Sequence, residues 1–301
     1  MPVTMRTCAG PADCAAISDF LYSLYQPNNR DGNWFQPMWE YAYTHAWFDE
    51  ASVQRIGIWE DGGMIAGVVT YEMQLGEAFF QVHPAYAHLK PAMLAYAEQH
   101  LTGINDEGKR YLKAYVNDFD AAFAAVVQSQ GYELRPRSHR PMSQFVIPRD
   151  FPPIHLPDGF RLKSLADDND LAKVDRVLHR GFDHPGEPPA DGIEGRKKMQ
   201  AGPHFRKDLT IVVEAPNGAF VAFSGLWLEP VNRFGYVEPV ATDPDYRRMG
   251  LGSAAVLEGI RRCGELGAEV AYVGTDLPFY LAMGFKKLYT LNCWIRQFPA
   301  T

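Results

Sequence analysis

Arg247, Arg248, Gly250 and Gly252 stand in the run Thr242-Asp243-Pro244-Asp245-Tyr246-Arg247-Arg248-Met249-Gly250-Leu251-Gly252, a set of residue types suited to holding an anion. Glycine lets a backbone turn with positive φ and lie close to a ligand, and arginine adds charge-assisted bonds to phosphate oxygens. Residues 235–242 before the run are short, apolar and β-prone, and after it Val256, Ile260, Cys263 and Leu266 recur at the spacing of one helix face. The run therefore joins a strand to a helix. The first N–H groups of such a helix lack partners and lie at the positive end of its dipole, a setting in which a pyrophosphate binds. Arg247, Arg248, Met249, Gly250, Leu251, Gly252 and Ser253 are the expected phosphate contacts, although a solvated surface also supplies arginine pairs.

The spacing Arg-x-x-Gly-x-Gly, with its Gln and Ala variants, arises by chance about 0.3 times in a chain of this length at average residue usage. Its weight comes from the flanking strand and helix, and from a second stretch further on, Phe279-Tyr280-Leu281-Ala282-Met283-Gly284-Phe285. Together these resemble the GCN5-related N-acetyltransferase (GNAT) family, whose loop commonly reads Asp-Pro-Glu-Tyr-Arg-Gly-x-Gly-x-Gly and whose later helix ends in Phe-Tyr-x-x-x-Gly-Phe. The resemblance implies an α+β fold with a mostly antiparallel mixed sheet flanked by helices. It also implies acetyl-CoA as cosubstrate, and transfer of its acetyl group to a primary amine of a small molecule or peptide by direct attack in a ternary complex.

That chemistry needs a neutral amine, stabilisation of an oxyanion and a proton for the departing thiolate. Glu238 is the candidate base, directly or through water, as a strand glutamate is in many members of the family; an exposed strand residue or ion-pair partner is the plainer alternative. Pro239 follows it and cannot donate a ladder bond, which predicts a bulge or a strand unpaired on one side. In the family two strands splay at this place and the pantetheine arm enters between them, along backbone groups that correspond here to Val240, Ala241 and Thr242, with the Val240 N–H as donor to the thioester carbonyl. Tyr280 is the candidate acid, because a phenol with pKa about 10 stays protonated beside a thiol with pKa about 8.5. Without the loop a Phe-Tyr pair on a helix reads as core.

The family usually carries Asn two turns, and Ala one turn, before this tyrosine, where this chain has Val273 and Asp276. Thr275-Asp276-Leu277-Pro278 predicts a shortened start to the helix, with Asp276 as its cap and Pro278 in its first turn. The family's acceptor meets the loop between the first two helices, here residues 181–189. Asp183 and Glu187 are candidates to hold a cationic acceptor and His184 is an alternative base, while an acidic proline-rich loop is equally ordinary surface.

These groups need a scaffold, and the chain supplies its plan twice. The stretch Ile147-Pro-Arg-Asp-Phe-Pro-Pro-Ile-His-Leu-Pro-Asp-Gly159 is too proline-rich for helix or central strand. It divides a first domain, 1–147, from a second, 160–301, with 148–159 as linker. In the second, strands are expected at 160–164, 209–214, 219–228, 235–242, 269–274 and 289–297, and helices at 171–180, near 194–200, after Gly250 and around Tyr280. The first echoes them with strands at 54–60, 64–72, 77–83 and 110–117 and helices at 90–101 and 121–130. Turns at Asp61-Gly62-Gly63 and Pro216-Asn217-Gly218 take equivalent hairpin positions.

Laying His83-Pro84-Ala85-Tyr86 over Asp243-Pro244-Asp245-Tyr246 sets Ala87 opposite Arg247, Lys90 opposite Gly250, Pro91 opposite Leu251 and Ala92 opposite Gly252. Lys90 puts a side chain where a glycine admits the ligand, and Pro91 removes an N–H donor. Val127 falls opposite Tyr280. The first domain thus reads as a degenerate copy, against the competing view that Lys90 itself binds phosphate as a point charge. Its aromatic residues Trp34, Phe35, Trp39, Tyr41, Tyr43, Trp47 and Phe48 read as helix-to-sheet packing, with a pocket lining as the alternative.

A chain of 301 residues with net charge −7 and no block of Lys or Arg argues against nucleic-acid and anionic-membrane partners. Cys8, Cys14, Cys263 and Cys293 form no CxxC pair, which predicts free thiols, a reducing compartment and no metal site. With no signal-peptide pattern and no apolar run of roughly 18 to 20 residues, a cytoplasmic protein is expected. A Walker or Rossmann nucleotide site fits worse, since neither Gly-Lys-Ser/Thr nor Gly-x-Gly-x-x-Gly stands at this strand–helix junction. A non-catalytic acyl-CoA-binding sensor or scaffold is the rival to an enzyme, and the residues leave the acceptor and the oligomeric state open.

Overall fold

The computed structural model describes residues 2–299. In chain order the first half contains β1 (Thr4–Thr7), α1 (Pro11–Leu24), α2 (Gln36–Thr44), β2 (Gly57–Asp61), β3 (Met64–Thr70), β4 (Glu77–Val82), α3 (Lys90–His100), β5 (Gly103–Ile104), β6 (Arg110–Asn117), α4 (Ala121–Ser129), β7 (Glu133–Leu134) and β8 (Arg140–Val146). The second half contains β9 (Arg161–Ser164), α5 (Leu171–Gly181), α6 (Gly192–Gln200), β10 (Ile211–Glu214), β11 (Phe220–Glu229), β12 (Phe234–Thr242), α7 (Leu251–Glu265), β13 (Val270–Val273), α8 (Pro278–Ala282) and β14 (Lys286–Gln297). No helix or strand falls between Val146 and Arg161, where prolines remove donors and fix φ.

Two compact units emerge, and they divide the chain elsewhere than at 147 and 160. One comprises Met1–Tyr43, Trp47–Met142 and Leu288–Thr301, the other Thr44–Ala46 and Ser143–Lys287. The first unit's sheet runs β1-β2-β3-β4-β6-β14, antiparallel except for the parallel pair β4 and β6. In the second it runs β8-β13-β12-β11-β10-β9, antiparallel except for the parallel pair β12 and β13. Each sheet is therefore completed by the last strand of the other half: Leu291–Gln297 pair with Tyr111–Asn117, and Ser143–Val146 pair with Val270–Val273.

The second unit has three layers. On one face of its sheet α7 places Val256, Ile260 and Cys263 against Leu226, Val237 and Ala271, while on the other α5 places Val174, Val177 and Leu178 against Val212, Phe220 and Phe223. Asp170 caps α5 by accepting from Ala172 N and Lys173 N. Helix α7 lies close to β11, since a Cβ on Gly259 would stand 2.5 Å from Leu226 Cδ2. In the first unit Trp34, Phe35, Trp39 and Phe48 are buried and Trp47 is exposed, so packing accounts for most of that aromatic run. All four cysteines are free and buried. Among the described residues no helix is long and apolar enough to cross a membrane, and no group of three His, Cys, Asp or Glu could hold a metal ion.

Candidate functional site

Strands β12 and β13 pair only from Phe234↔Val270 to Tyr236↔Tyr272, whereas β12 stays paired with β11 as far as Thr242↔Ala222. Beyond Tyr236 one edge of β12 is therefore unladdered. Asp243 N donates to Val221 O at 2.9 Å, toward β11. Since N–H directions alternate along a strand, the N–H groups of Thr242 and Val240 point the other way, into the gap.

The expected bulge lies at Pro239. Register steps from Ser224↔Val240 to Leu226↔Val237, so Gly225 alone faces Glu238 and Pro239, whose peptide bond is cis. Gly225 is required there, because a Cβ would stand 2.4 Å from Glu238 O. Trp227 Nε1 holds that same carbonyl at 2.9 Å.

The gap opens into a cavity of about 440 Å³ that receives Val240, Ala241 and Thr242 from β12, and the loop that starts α7. Every residue expected to contact coenzyme lines it except Met249, which is exposed on the loop. Gly250 takes φ 79° and ψ 0°, and a Cβ on it would meet nothing within 4 Å, so the cavity is open at that point. A Cβ on Gly252 would stand 2.6 Å from Thr242 Oγ1, which shows how closely the first turn of α7 approaches the strand edge. The leading N–H groups of α7 lack intrahelical partners and carry the positive end of its dipole.

Tyr280 also lines the cavity, 8% exposed, with its ring edge-on to Phe279 and Phe285. Burial, and then the negative charge of Glu238, push its phenol far above the ordinary value, so the hydroxyl keeps its proton at neutral pH. Glu238 does not line the cavity; its Oε2 accepts from Tyr236 OH at 3.1 Å. Pro278 opens the five-residue α8 as expected, but Asp276 does not cap it. Leu277 is the N-cap residue and has no side-chain cap bond, while Asp276 reaches Lys287 Nζ at 3.1 Å, because the helix starts one residue too late for that carboxylate.

Asp243, 1% exposed, anchors the loop by accepting two bonds from Arg180 at 2.6 and 3.0 Å. Burial alone would raise its carboxyl, but Arg180, Asp245 N and the charge of Arg176 outweigh burial and hold it below the usual carboxylate range. Arg247 lines the cavity, yet its guanidinium bonds Thr242 O at 3.2 Å, Gly181 O at 3.0 Å and Asp183 Oδ1 at 2.9 Å. Asp183 is thus Arg247's partner, and Asp183, His184 and Glu187 all lie outside the cavity lining.

Sequence reasoning missed Gly181, Tyr246, Leu277 and Phe279 as lining residues. A Cβ on Gly181 would stand 2.9 Å from Thr242 N, so this glycine at the end of α5 leaves that N–H uncovered. Phe279 was visible as half of the Phe-Tyr pair; nothing local marked Gly181.

At the matching edge of the first unit, β4 and β6 part beyond Ala78↔Ala114, and His83 N donates to Ala66 O. Here the outward groups are taken by the chain itself. Asn33 Nδ2 donates to Val82 O at 3.1 Å and Val82 N donates to Asn33 Oδ1 at 2.8 Å. Lys90 pairs with Asp120 and lies 5.6 Å over the Phe123 ring.

In both mixed sheets a parallel strand pair splays beside a helix N-terminus, and in the second unit this leaves unpaired N–H groups that suit an anionic ligand. Residues 178–285 match the acetyltransferase (GNAT) family. A mycothiol acetyltransferase of Saccharomonospora viridis is 28% identical over 69% of this chain and 70% of its own length. Among solved structures, a GCN5-related N-acetyltransferase from Sphaerobacter thermophilus superposes with TM-score 0.67 at 14% identity, covering 99% of this chain and 97% of that one. A tandem GNAT protein from the clavulanic acid biosynthesis pathway gives 0.65 at 14%, over the whole of both chains. By these similarities the protein is an acetyltransferase in which residues 178–285 match the GNAT domain, and the chain as a whole shares the fold of a tandem GNAT protein.

Proposed function

We propose that the second unit transfers an acetyl group from acetyl-CoA to a primary amine by direct attack in a ternary complex, and that the first unit is a degenerate copy that supports the fold. The observation that carries this reading is the unladdered edge of β12. Its Val240 and Thr242 N–H groups face a cavity that the start of α7 and the protonated Tyr280 also line.

Acetyl-CoA supplies an activated thioester, a pantetheine arm with amide groups and a pyrophosphate. The unladdered edge of β12 suits the arm, and the leading N–H groups of α7, with Arg248, suit the pyrophosphate. Glu238 takes a proton from the bound ammonium and leaves a neutral amine to attack, and the Val240 N–H donates to the carbonyl oxygen as charge develops on it. The amine nitrogen adds to the thioester carbon, and as the C–S bond breaks Tyr280 gives its proton to the sulfur and is reprotonated by the proton that the new amide nitrogen releases. Asn33, by occupying both polar groups of Val82, and Pro91, by removing an N–H, support the assignment of the first unit as inactive.

The test is release of free thiol from acetyl-CoA across a panel of primary amines that includes polyamines, aminoglycosides, amino acids and peptide N-termini. Because a similar protein is a mycothiol acetyltransferase, amine precursors of mycothiol join the panel. Saturable transfer to one class, lost in Glu238→Gln and Tyr280→Phe, is the expected result. Tight acetyl-CoA binding with no transfer to any amine would instead favour a sensor or scaffold.

A further inference from the structure

The carboxylate of Glu238 is held from within its own strand. Tyr236, 3% exposed and two residues earlier on β12, donates its hydroxyl to Glu238 Oε2 at 3.1 Å. Side chains two residues apart share a face of a strand, which brings the phenol and the carboxylate together. Tyr236 is also the last residue of β12 paired with β13, opposite Tyr272, so its backbone is fixed at the point where the strands part. Tyr272 is itself buried and accepts from Gln144 Nε2 at 2.9 Å, which anchors the neighbouring strand.

Room for the hydroxyl depends on a glycine. A Cβ on Gly274, just past the end of β13, would stand 3.2 Å from Tyr236 OH, tighter than ordinary contact. The Glu238 backbone is fixed separately by Trp227 Nε1 and by the close approach of Gly225. Tyr280, from α8, is a further titratable group acting on Glu238, and as a neutral phenol it adds no charge.

We propose that Tyr236 is the positioning residue for the base of this site. Its hydroxyl fixes the Glu238 carboxylate in one orientation and favours the ionised form, and Gly274 leaves the space that this contact needs. A donor to a carboxylate stabilises its charged state and lowers its pKa, so removing the donor raises the pH at which the base becomes available. The proposal rests on the reading of Glu238 as base, and the test separates the two.

Steady-state kinetics between about pH 5.5 and 9 are compared for the full-length protein and for Tyr236→Phe, Gly274→Ala and Glu238→Gln, with circular dichroism confirming the fold. Tyr236→Phe is expected to lower kcat/KM for the amine about tenfold at neutral pH and to move its acidic limb up by about one unit, with KM for acetyl-CoA unchanged. Gly274→Ala should move the limb the same way by less, and Glu238→Gln should abolish it. An unmoved limb in Tyr236→Phe beside an inactive Glu238→Gln overturns the positioning role and leaves the base assignment standing. Full activity with an intact limb in Glu238→Gln overturns both. Should Tyr236→Phe fail to fold, Gly274→Ala decides, and an unmoved limb there overturns the proposal.

Discussion

Replacing Gly250 by Asp and by Asn separates charge from backbone strain at the start of α7. Gly250 sits at φ 79°, and a Cβ there would meet nothing within 4 Å, so a substitution meets strain and no collision. Asn and Asp both visit the left-handed region more readily than other side chains and have nearly the same shape, so strain, roughly 1 kcal/mol, cancels between them. One negative charge remains as the difference. In the free protein it lies at the positive end of the α7 dipole and should stabilise by about 0.3–1 kcal/mol. With coenzyme bound it would lie about 5 Å from a phosphate, a repulsion of about 3 kcal/mol at an effective dielectric constant near 20. At about 1.4 kcal/mol per decade, Gly250→Asp should bind acetyl-CoA on the order of 10²-fold more weakly than Gly250→Asn, while melting no lower. Calorimetric titration at about 50 mM and about 300 mM salt, with thermal melts of both variants, reads the two effects, and salt should narrow the affinity gap. Equal affinities at low salt would refute the assignment of this helix end to the pyrophosphate.

Three further outcomes are expected. Tyr280→Phe should lower kcat at least about 10²-fold with near-normal acetyl-CoA affinity, and, since burial and then Glu238 raise the wild-type phenol, no activity should be lost to its ionisation as pH rises to about 9. Asp243→Asn should destabilise the fold by about 1–2 kcal/mol by weakening the pair with Arg180, which is partly exposed and keeps Asp245 as a partner. Because the folded carboxyl is depressed, that stability is present above the unfolded value near 3.9 and is lost as pH falls through the folded one; denaturant melts at neutral and acid pH should therefore converge for the two proteins. Gly225→Ala should cost about 1–3 kcal/mol and lower turnover, since its Cβ would collide with Glu238 O; an unchanged melting temperature would show that the bulge relaxes freely.

Much of the second unit was legible because its local signals agree. Helix α5 runs from Leu171 to Gly181 where 171–180 was expected, and β6 in the other unit runs from Arg110 to Asn117 as expected. The chemistry of Pro239 announced an irregular strand, since a residue without an N–H cannot sit in a regular central ladder. Asp276 misled because a carboxylate before a proline has the composition of a cap, and only the observed helix start shows that it pairs with Lys287. The roles of Asp183 and Gly181 were hidden for a different reason. Both meet Arg247 across more than sixty residues of chain, and no periodicity reports such a contact.

The sequence by itself determined a loop suited to an anion in the second half and the absence of its glycines from the matching stretch of the first. Those properties are local: a glycine that tolerates positive φ, a helix whose first N–H groups are unpaired, and a lysine and proline that spoil the same turn at 90 and 91. Tertiary structure decided which sheet each closing strand joins, for nothing local to β14 names its partner and only packing selects it. It also decided that Asn33 fills the polar edge of Val82 and that Trp227 holds the carbonyl of Glu238. These are contacts between side chains and strand edges whose geometry exists only once the sheets have formed.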